Sequence, residues 1–544
     1  MSKAPKAPVG QVIHIAREFG GIVGAGGIKD VTRGLCTAAA DLGIDTHIFL
    51  PFTRSAEDAV DFPLQQGISL EVPLNYSDQQ RRETCTIFHG QPQDRLTVHL
   101  VQAQRYRFLS EGDRPIERHG IYQYTHAEAQ ALGRPDLVGQ GYIDYFAMNV
   151  LLVKAALQTL GTWHQPPGLI HAHDGHAALW APIARAGHED WAPALAHVPV
   201  VTTIHNAGLG YHQDVGDLDF AQAICGLPWQ VVSGCLLDGH FNPLVAAGLY
   251  GDIVNTVSEN YARELQYSGQ DALTGWLGHH LLGRGVELAG ITNGIDPRAF
   301  DPTAGPASGL AAAFDIAEGQ WAGKETCKQS LLENLAAPAG GTVHGAISYQ
   351  RDSPLFTFIG RLDTQKGVDT MAQAWAELAQ TEAEAQLLAL GDGSPTLAQQ
   401  LADLTQQWPG RFCFVQGYDE QLARQIYAGG DFCLVPSRFE PCGLTDFTAQ
   451  LLGNIPIAHQ VGGLVKTVDG QHGLGYLGGA QQLATAMRRG LELYRQPDRT
   501  ELHRIQQEAV ANIHRHFTWE QVLQRKYWPL YQRALAKGRP ALPY

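Results

Sequence analysis

Two series of short apolar segments, each segment followed by a helical pattern, constrain the fold of this chain more than any other feature. The first series comprises residues 12–15, 46–50, 169–172, 198–204, 253–257 and 286–291. The second series comprises residues 355–359, 386–390, 412–415, 432–435 and 455–458. Alternation of this kind predicts parallel sheets with helices on both faces. Because 544 residues also exceed what a single core accommodates, we predict an α/β protein with two doubly wound, Rossmann-like domains.

The boundary between the two predicted domains lies near residues 285–295, where the first series ends. Residues 324–335 follow a helical pattern at the start of the second domain, and residues 519–535 predict a last helix. Residues 76–98 are polar and predict a hairpin or a surface loop.

Charge and composition exclude several classes of partner. The net charge is −15 and no long basic run occurs, so we expect no nucleic-acid partner. No stretch approaches about 18 apolar residues, and residues 1–10 lack the apolar core of a signal peptide, which predicts a cytoplasmic protein without a membrane span. The eight cysteines include no CxxC pair, so a metal or redox centre has no support. An anionic small-molecule substrate would need a local cluster of cations.

The segment from Pro436 to Leu444 places three reactive groups where a predicted strand ends and a helix begins. These groups are the side chains of Arg438, Glu440 and Cys442. In an open α/β sheet, ligands bind at the carboxyl ends of the strands. The segment therefore marks a candidate ligand site, and it closely resembles the signature of bacterial glycogen synthases and plant starch synthases.

Two further loops of the second domain follow predicted strands. Arg361 and Lys366 place two cations beside a helix N-terminus, which suits a diphosphate, although a solvated loop is the alternative. Gly462 and Gly463 expose backbone N–H groups to an anion, although a paired glycine is more often only a turn. The position of these loops at strand ends favours ligand binding.

The first domain carries histidines at the ends of its predicted strands. His205 and Asn206 end an unbroken apolar strand, where a single histidine is usually a core or surface residue. Upstream, His171, His173 and His176 surround an aspartate and could ligate zinc. Since alternate side chains of a strand point to opposite faces, the three imidazoles need not converge.

The resemblance to the glycogen and starch synthase family extends from about residue 12 to about residue 535, with the motifs in the same order. It implies the GT-B fold, in which two Rossmann-like domains face each other across a deep cleft and the last helix crosses back to the first domain. On this basis the first domain, on the acceptor side, comprises residues 1–289 with the crossover helix 519–544. The second domain, residues 290–518, binds the nucleotide sugar.

The same resemblance implies transfer of glucose from ADP-glucose to the non-reducing 4-hydroxyl of an α-1,4-glucan, with retention of configuration. It implies no cofactor and no metal ion, and it gives no oligomeric state. The implied catalytic residues are Glu440, Arg361, Lys366 and His205. The implied donor-binding residues are Gly26, Gly27, Asp30, Asn293, Tyr418, Cys442, Gly443, Leu444, Gly462 and Gly463. The implied acceptor-side residues are Asp174 and Asn206.

Three positions depart from the family pattern. Gly24 stands where the family has lysine, and the nearby Lys29 either swings inward to replace the missing ammonium or faces solvent. Gly175 stands where the family usually has tryptophan, which removes an apolar platform for a sugar. Lys466 stands where the family has aspartate, and it either adds a cation near the donor or only alters the surface.

These departures leave two other functions open. One is a related retaining glucosyltransferase that uses a different nucleotide donor or a small acceptor. The other is a non-catalytic glucan-binding or regulatory homologue, against which the cations and the carboxylate of the predicted site argue.

Overall fold

The chain divides into two compact units in a computed structural model that describes residues 7–77, 79–111, 115–188 and 193–537. Unit 1 comprises Met1–Gly294 and Trp519–Tyr544, and unit 2 comprises Ile295–Thr518. Residues 1–6 and 538–544 of the predicted first domain lie outside the described residues. The division after Gly294 assigns Asn293 to unit 1.

The strands of unit 1 form one large sheet and a short hairpin. They are β1 (Gln11–Ile15), β2 (Asp45–Pro51), β3 (Gln65–Pro73), β4 (Arg82–Gln93), β5 (Leu96–Gln102), β6 (Ile170–His173), β7 (Val200–Ile204), β8 (Leu236–Leu237), β9 (His240–Phe241), β10 (Ile253–Thr256) and β11 (Leu288–Gly290). Within the described residues the large sheet has nine strands in the order β11-β10-β7-β6-β1-β2-β5-β4-β3. Strands from β11 to β2 pair in parallel, as predicted, and β5, which was not among the predicted strands, pairs in parallel with β2.

The edge of this sheet differs from a purely parallel arrangement. β4 pairs antiparallel with both β3 and β5, so the polar residues 76–98 contribute to a hairpin, one of the two structures predicted there. Most residues of β3 are exposed. A strand exposed in this way lacks the apolar run by which the inner strands were found, which explains why β3 was not predicted.

The helices of unit 1 lie between these strands. They are α1 (Ile28–Asp41), α2 (Arg54–Ala59), α3 (Gln104–Arg107), α4 (His126–Ala131), α5 (Tyr145–Gly161), α6 (Asp174–Ala177), α7 (Trp180–Ala186), α8 (Leu218–Cys225), α9 (Trp229–Gly234), α10 (Pro243–Tyr250), α11 (Glu259–Tyr267) and α12 (Leu277–Gly283). Short 3-10 turns cover Pro135–Leu137, Pro193–His197, Leu209–Tyr211 and Gly269–Thr274.

Unit 2 contains a second, mostly parallel sheet. Its strands are β12 (Thr342–Ile347), β13 (Leu355–Ile359), β14 (Gln386–Gly391), β15 (Arg411–Gln416), β16 (Phe432–Val435), β17 (Ile455–His459) and β18 (Leu474–Tyr476). The order is β12-β15-β14-β13-β16-β17-β18, and β12 pairs antiparallel with β15. Alternate residues of β13 enter different cores: Phe356 and Phe358 lie in one apolar cluster, Leu355 and Ile359 in another. Burial on both faces explains why these strands read as continuous apolar runs.

Helices flank the sheet of unit 2. They are α13 (Ala322–Glu333), α14 (Val368–Ala379), α15 (Pro395–Gln407), α16 (Glu420–Gly429), α17 (Thr445–Leu451), α18 (Ala480–Arg495) and α19 (Thr500–His516). Short 3-10 turns cover Pro297–Phe300, Pro302–Ser308 and Gly462–Lys466.

The C-terminal helix returns to unit 1 and is interrupted. It consists of α20 (Trp519–Val522), a π-helical segment (Leu523–Tyr527) and α21 (Trp528–Ala536). The single regular helix predicted for residues 519–535 therefore needs this correction. The hydroxyl of Tyr531 lies 3.0 Å from Nδ1 of His171, so the helix is tied to strand β6.

None of the helices in the four described ranges combines the length and the apolar character needed to cross a lipid bilayer.

The contact between α1 and the returning helix gives a test of the fold. A Cβ atom at Gly34 would lie 2.0 Å from Nε1 of Trp519, so Gly34→Ala should displace the indole and destabilise unit 1 by about 1–3 kcal/mol. Gly283 also lies in a helix, but a Cβ atom added there would meet no other atom within 4 Å, so Gly283→Ala is the matched control. Thermal unfolding should show a lower midpoint for Gly34→Ala alone, and equal midpoints would contradict the predicted contact.

Candidate functional site

A carboxylate and an ammonium group meet at the carboxyl edge of the unit 2 sheet. Nζ of Lys366, in the loop between β13 and α14, lies 2.7 Å from Oε2 of Glu440, in the loop between β16 and α17. The hydroxyl of Ser437 donates to the same oxygen at 2.8 Å. The two side chains, predicted from separate motifs, therefore form one cluster.

The neighbouring cation decides the charge of Glu440. Burial alone would raise the pKa of this carboxyl, but Lys366 and the Ser437 hydroxyl lower the pKa below its usual range. Glu440 is therefore an anion at neutral pH. Its Oε2 is occupied by the two donors, and its side chain is 14% exposed.

The paired glycines pack against the backbone beside Glu440. The N–H of Gly463 donates to the carbonyl of Glu440 at 2.9 Å. A Cβ at Gly462 would lie 2.0 Å from that carbonyl oxygen, and one at Gly463 would lie 2.2 Å from the carbonyl oxygen of Cys442. Only glycine permits this approach, so the structure brings the two predicted loops together. Gly443 adopts φ +75°, and Leu444 leads directly into α17.

Three other side chains highlighted in the sequence, two arginines and a tyrosine, do not bond to Glu440. The side chain of Arg361 is 61% exposed, and its guanidinium lies 3.3 Å from Asp363. Tyr418 is 62% exposed. Arg438 does not join the Glu440 cluster, because it forms an ion pair at 2.7 Å with Asp369 of α14.

Lys466 is an internal cation and not a surface change. Its side chain is 5% exposed, and its Nζ lies 2.9 Å from the fully buried carboxylate of Asp446. The same ammonium donates to the carbonyl oxygens of Cys442 and Gly463 at 2.6 and 3.2 Å. Burial raises the pKa of Asp446, although Lys466 opposes the shift. Lys466 thus ties the Glu440 loop to the glycine loop.

In unit 1, Asp174 fixes the backbone that follows β7. Its Oδ1 accepts hydrogen bonds from the N–H groups of His205 at 2.6 Å and of Asn206 at 3.4 Å. Asp174 is buried and adopts φ +54°, a conformation that residues other than glycine rarely occupy. Burial raises the pKa of this carboxyl to about 7, against the two backbone hydrogen bonds. The side-chain oxygen of Asn206 caps the N–H of Gly208.

Histidines from two neighbouring strands, β1 and β6, converge beside this loop. The rings of His171 and His173 stack 4.4 Å apart, since residues two positions apart share a face of the strand. His14 of β1 joins them, and ligand atoms of the three lie within 4.8 Å, close enough to hold a metal ion. However, Nδ1 of His171 pairs with the Tyr531 hydroxyl and its Nε2 with Thr203, which leaves this imidazole without a lone pair to offer. His176 instead stacks on Tyr122.

The first loop of unit 1 is held by an acidic residue that sequence reasoning missed. Oε2 of Glu18 accepts hydrogen bonds from the backbone N–H groups of Ala25 and Gly26 at 2.7 and 2.9 Å. The hydroxyl of Tyr122 donates to its Oε1 at 2.8 Å. The available signal was a carboxylate placed just after strand β1. Its distant partner Tyr122 could not be read from the chain.

The other predicted residues of this loop lie at the start of α1. Gly27 is its N-cap, and the exposed Asp30 occupies its first turn. The stem of Lys29 runs over Gly24, because a Cβ at Gly24 would lie 2.6 Å from Cβ and Cδ of Lys29. Lys29 therefore fills the space in which a side chain at position 24 would begin.

The glycine at position 175 also admits a close neighbour. A Cβ at Gly175 would lie 2.8 Å from the carbonyl oxygen of His212 and 2.9 Å from Cγ of Gln213. Gln213 is held there by a hydrogen bond of 2.8 Å from Asn149. The segment at residues 212–213 thus takes the space of a larger side chain.

Asn293 is 3% exposed, and its Oδ1 is buried without a hydrogen-bond partner among the described residues. A buried amide oxygen of this kind is uncommon in folded proteins and favours a binding role.

Comparison with known proteins finds matches over nearly the whole chain. The family model described as the starch synthase catalytic domain matches residues 11–279, and the model described as glycosyl transferases group 1 matches residues 353–492. A glycogen synthase from Aeromonas hydrophila is 30% identical over 540 residues, covering 97% of this chain and 99% of that protein. A glycogen synthase from Anaeromyxobacter dehalogenans is 30% identical over 533 residues, covering 96% and 99%.

A solved structure gives the same result at the level of the fold. The catalytic domain of starch synthase IV from Arabidopsis thaliana, bound to ADP and acarbose, matches with a TM-score of 0.76 and 25% identity. The match covers 97% of this chain and 99% of that chain.

The buried carboxyl of Asp174 makes stability depend on pH. Its pKa is raised to about 7 in the folded protein, so the stability that it contributes is complete below about pH 4 and is lost as the pH rises through 7. Asp174→Asn keeps the Oδ1 acceptor and removes this loss. Its free energy of unfolding should therefore exceed that of the parent at pH 8 by a few kcal/mol at most, and the gain should shrink towards pH 4. Urea titrations at the two pH values measure it, and a gain independent of pH would contradict it.

Proposed function

Because the chain belongs to the GT-B glycosyltransferase family of glycogen and starch synthases, we propose that it transfers glucose from ADP-glucose to the non-reducing 4-hydroxyl of an α-1,4-glucan. The configuration at the anomeric carbon is retained. The observation that carries this proposal is the contact of 2.7 Å between Lys366 and Glu440 beside the glycine loop.

The donor-side cluster suits a sugar joined to a diphosphate. Lys366 and the exposed guanidinium of Arg361 offer positive charge and hydrogen-bond donors to phosphate oxygens. Gly462 and Gly463 let the loop after β17 pack closely against the Glu440 loop. Glu440, an anion, offers acceptors to sugar hydroxyls and favours positive charge at the anomeric carbon. The exposed ring of Tyr418 stacks on the base in this proposal. Cys442, Gly443 and Leu444 shape the same loop.

In the proposed reaction the bond between the anomeric carbon and the diphosphate oxygen breaks. A new bond forms from that carbon to the acceptor oxygen on the same face. The acceptor hydroxyl gives its proton to the departing diphosphate. The protein positions the reactants and stabilises the negative charge that develops on the diphosphate. Arg361 and Lys366 supply the positive charge that a metal ion supplies in other enzymes. Activity that survives strong chelation fits this proposal.

Unit 1 supplies the remaining groups. His205 and Asn293 hold the transferred glucose, Asp174 and Asn206 lie on the acceptor side, and Gly26, Gly27 and Asp30 shape the first donor-side loop. The orientation of His205 and Asn206 by Asp174 supports these roles, since one carboxylate fixes both backbones.

A second candidate acceptor is a small molecule. It is favoured by Gly175, where the segment at residues 212–213 occupies the space of the tryptophan that would present an apolar face to a sugar. Donor chemistry is the same in both cases, so the acceptor alone distinguishes them.

A matrix of donors and acceptors tests the proposal. ADP-glucose and UDP-glucose are each assayed with glycogen, with maltooligosaccharides and with glucose, and we expect ADP release with elongation of glycogen. Lys366→Ala should lower kcat/KM by about 10²–10³-fold because a cation at the developing diphosphate is lost. Arg495→Ala, which removes an exposed ion pair, is the control.

Other results in this matrix would contradict the proposal. Turnover confined to small acceptors would establish the second candidate, and donor binding without any transfer would indicate a non-catalytic homologue.

We further propose that Lys29 replaces the ammonium group absent at position 24. Its stem lies where the side chain of residue 24 would begin, and its Nζ has no hydrogen-bond partner among the residues that the structure describes. The side chain of Lys29 thus runs past the point at which the side chain of a lysine at residue 24 would start.

Exchange of the two residues tests this replacement. Lys29→Ala should lower kcat/KM for the sugar donor by about 10²-fold. Gly24→Ala should do the same, since its Cβ would lie 2.6 Å from the Lys29 stem and displace it. The double variant Gly24→Lys with Lys29→Ala should restore activity. Lys526→Ala, at an exposed lysine of unit 1, is the control. Unaltered kinetics for Lys29→Ala would show that this side chain only faces solvent.

A further inference from the structure

Three buried imidazoles form a continuous hydrogen-bonded chain that ends at the open side of the unit 1 sheet. Nδ1 of His14, in β1, lies 3.0 Å from Nε2 of His173, the last residue of β6. Nδ1 of His173 lies 2.9 Å from Nε2 of His205, which follows β7. His14 and His173 are 1% exposed and His205 is 7% exposed. The only end of the chain near solvent is therefore His205.

All three imidazoles are neutral at physiological pH. Burial lowers the pKa of His14 and of His205 to about 3. Burial and the neighbouring imidazoles lower the pKa of His173 well below its ordinary value. A neutral imidazole has one N–H group and one lone pair, so each ring in the chain donates at one nitrogen and accepts at the other.

Only two proton arrangements satisfy both links. In the first, His14 donates from Nδ1 to His173, which donates from Nδ1 to His205, and His205 carries its proton on Nδ1. In the second, every donor is reversed, so His14 carries its proton on Nε2 and Nδ1 of His205 is a bare acceptor. The far end of the chain, at His14, decides between them.

Nε2 of His14 is buried and has no hydrogen-bond partner in the described part of the chain. The nearby His171, whose ring lies 5.0 Å away, cannot serve, because its two nitrogens are engaged by Tyr531 and Thr203. The second arrangement would leave an N–H group stranded at Nε2 of His14, whereas the first leaves only a lone pair there. Stranded buried N–H groups are the rarer of the two in folded proteins.

We propose that His14 and His173 are positioning residues that hold His205 as the Nδ1–H tautomer, so that its open nitrogen donates a hydrogen bond to a hydroxyl of the transferred sugar. The hydrogen bond from His205 to the sugar rests on the proposed function. His205 is then a fixed donor and not a general base. Neither His14 nor His173 touches the substrate.

The tautomer can be read directly in the full-length protein without substrate. With ¹⁵N-labelled histidine, long-range ¹H–¹⁵N spectra distinguish a protonated ring nitrogen from a bare one. His205→Asn identifies the His205 signals by their loss. We expect Nδ1 of His205 to be protonated and Nε2 bare, and the reverse assignment would overturn the proposal. This result is independent of turnover, so it separates failure of this inference from failure of the proposed function.

Kinetics of a chain-breaking variant supply the second test. His173→Phe keeps a ring stacked on His171 and removes both links, so His205 should shift towards the Nε2–H form that free imidazole side chains prefer in water. We expect kcat/KM for the sugar donor to fall by about tenfold, as for loss of one hydrogen bond.

A matched control separates tautomer control from the loss of any buried histidine. His99 is buried in the same sheet and its Nε2 lies 3.0 Å from Nδ1 of His47. His99→Phe removes a comparable link that does not reach His205, and it should leave kcat/KM within twofold of the parent and the His205 spectrum unchanged. Equal kinetic losses in the two variants, or an unshifted His205 signal in His173→Phe, would contradict the proposal.

Discussion

Partial burial of the Glu440 carboxylate is the constraint on which the donor-side loops depend. A carboxylate removed from water is stable as an anion only if cations and hydrogen-bond donors replace the lost hydration. Lys366 and Ser437 do this at the side chain, and the Gly463 N–H satisfies the adjoining carbonyl. Contacts to Glu440 therefore connect the loops after β13, β16 and β17.

A buried ion pair also links the same two loops. Lys466 pairs with Asp446, and its ammonium group donates hydrogen bonds to the carbonyl oxygens of Cys442 and Gly463. Buried ion pairs contribute little net stability compared with apolar packing, but removal of one partner is strongly destabilising. The pair is thus best understood as fixing the geometry of the two loops.

Sequence reasoning located most of the inner strands and the donor motifs because their signals are local. β13 and β16 are apolar on both faces, and Arg361, Lys366 and Glu440 follow such strands directly. It missed β3, whose residues are mostly exposed, and it also missed β5, β12, β18 and the interruption of the last helix. It also missed Glu18 and the internal position of Lys466, since their partners Tyr122 and Asp446 lie far away in the chain. Long-range pairing of polar groups leaves no periodic trace.

The π-helical segment at Leu523–Tyr527 has a consequence for how this chain tolerates insertions and deletions. Such a segment amounts to one extra residue in a regular helix, and one residue rotates everything beyond it by about 100°. Trp519 before it and Tyr531 after it both reach unit 1, at Gly34 and at His171. Loss of a single codon there would restore a regular helix yet turn Tyr531 away from the sheet. We therefore expect the number of residues in this segment to be constrained more strongly than their identity.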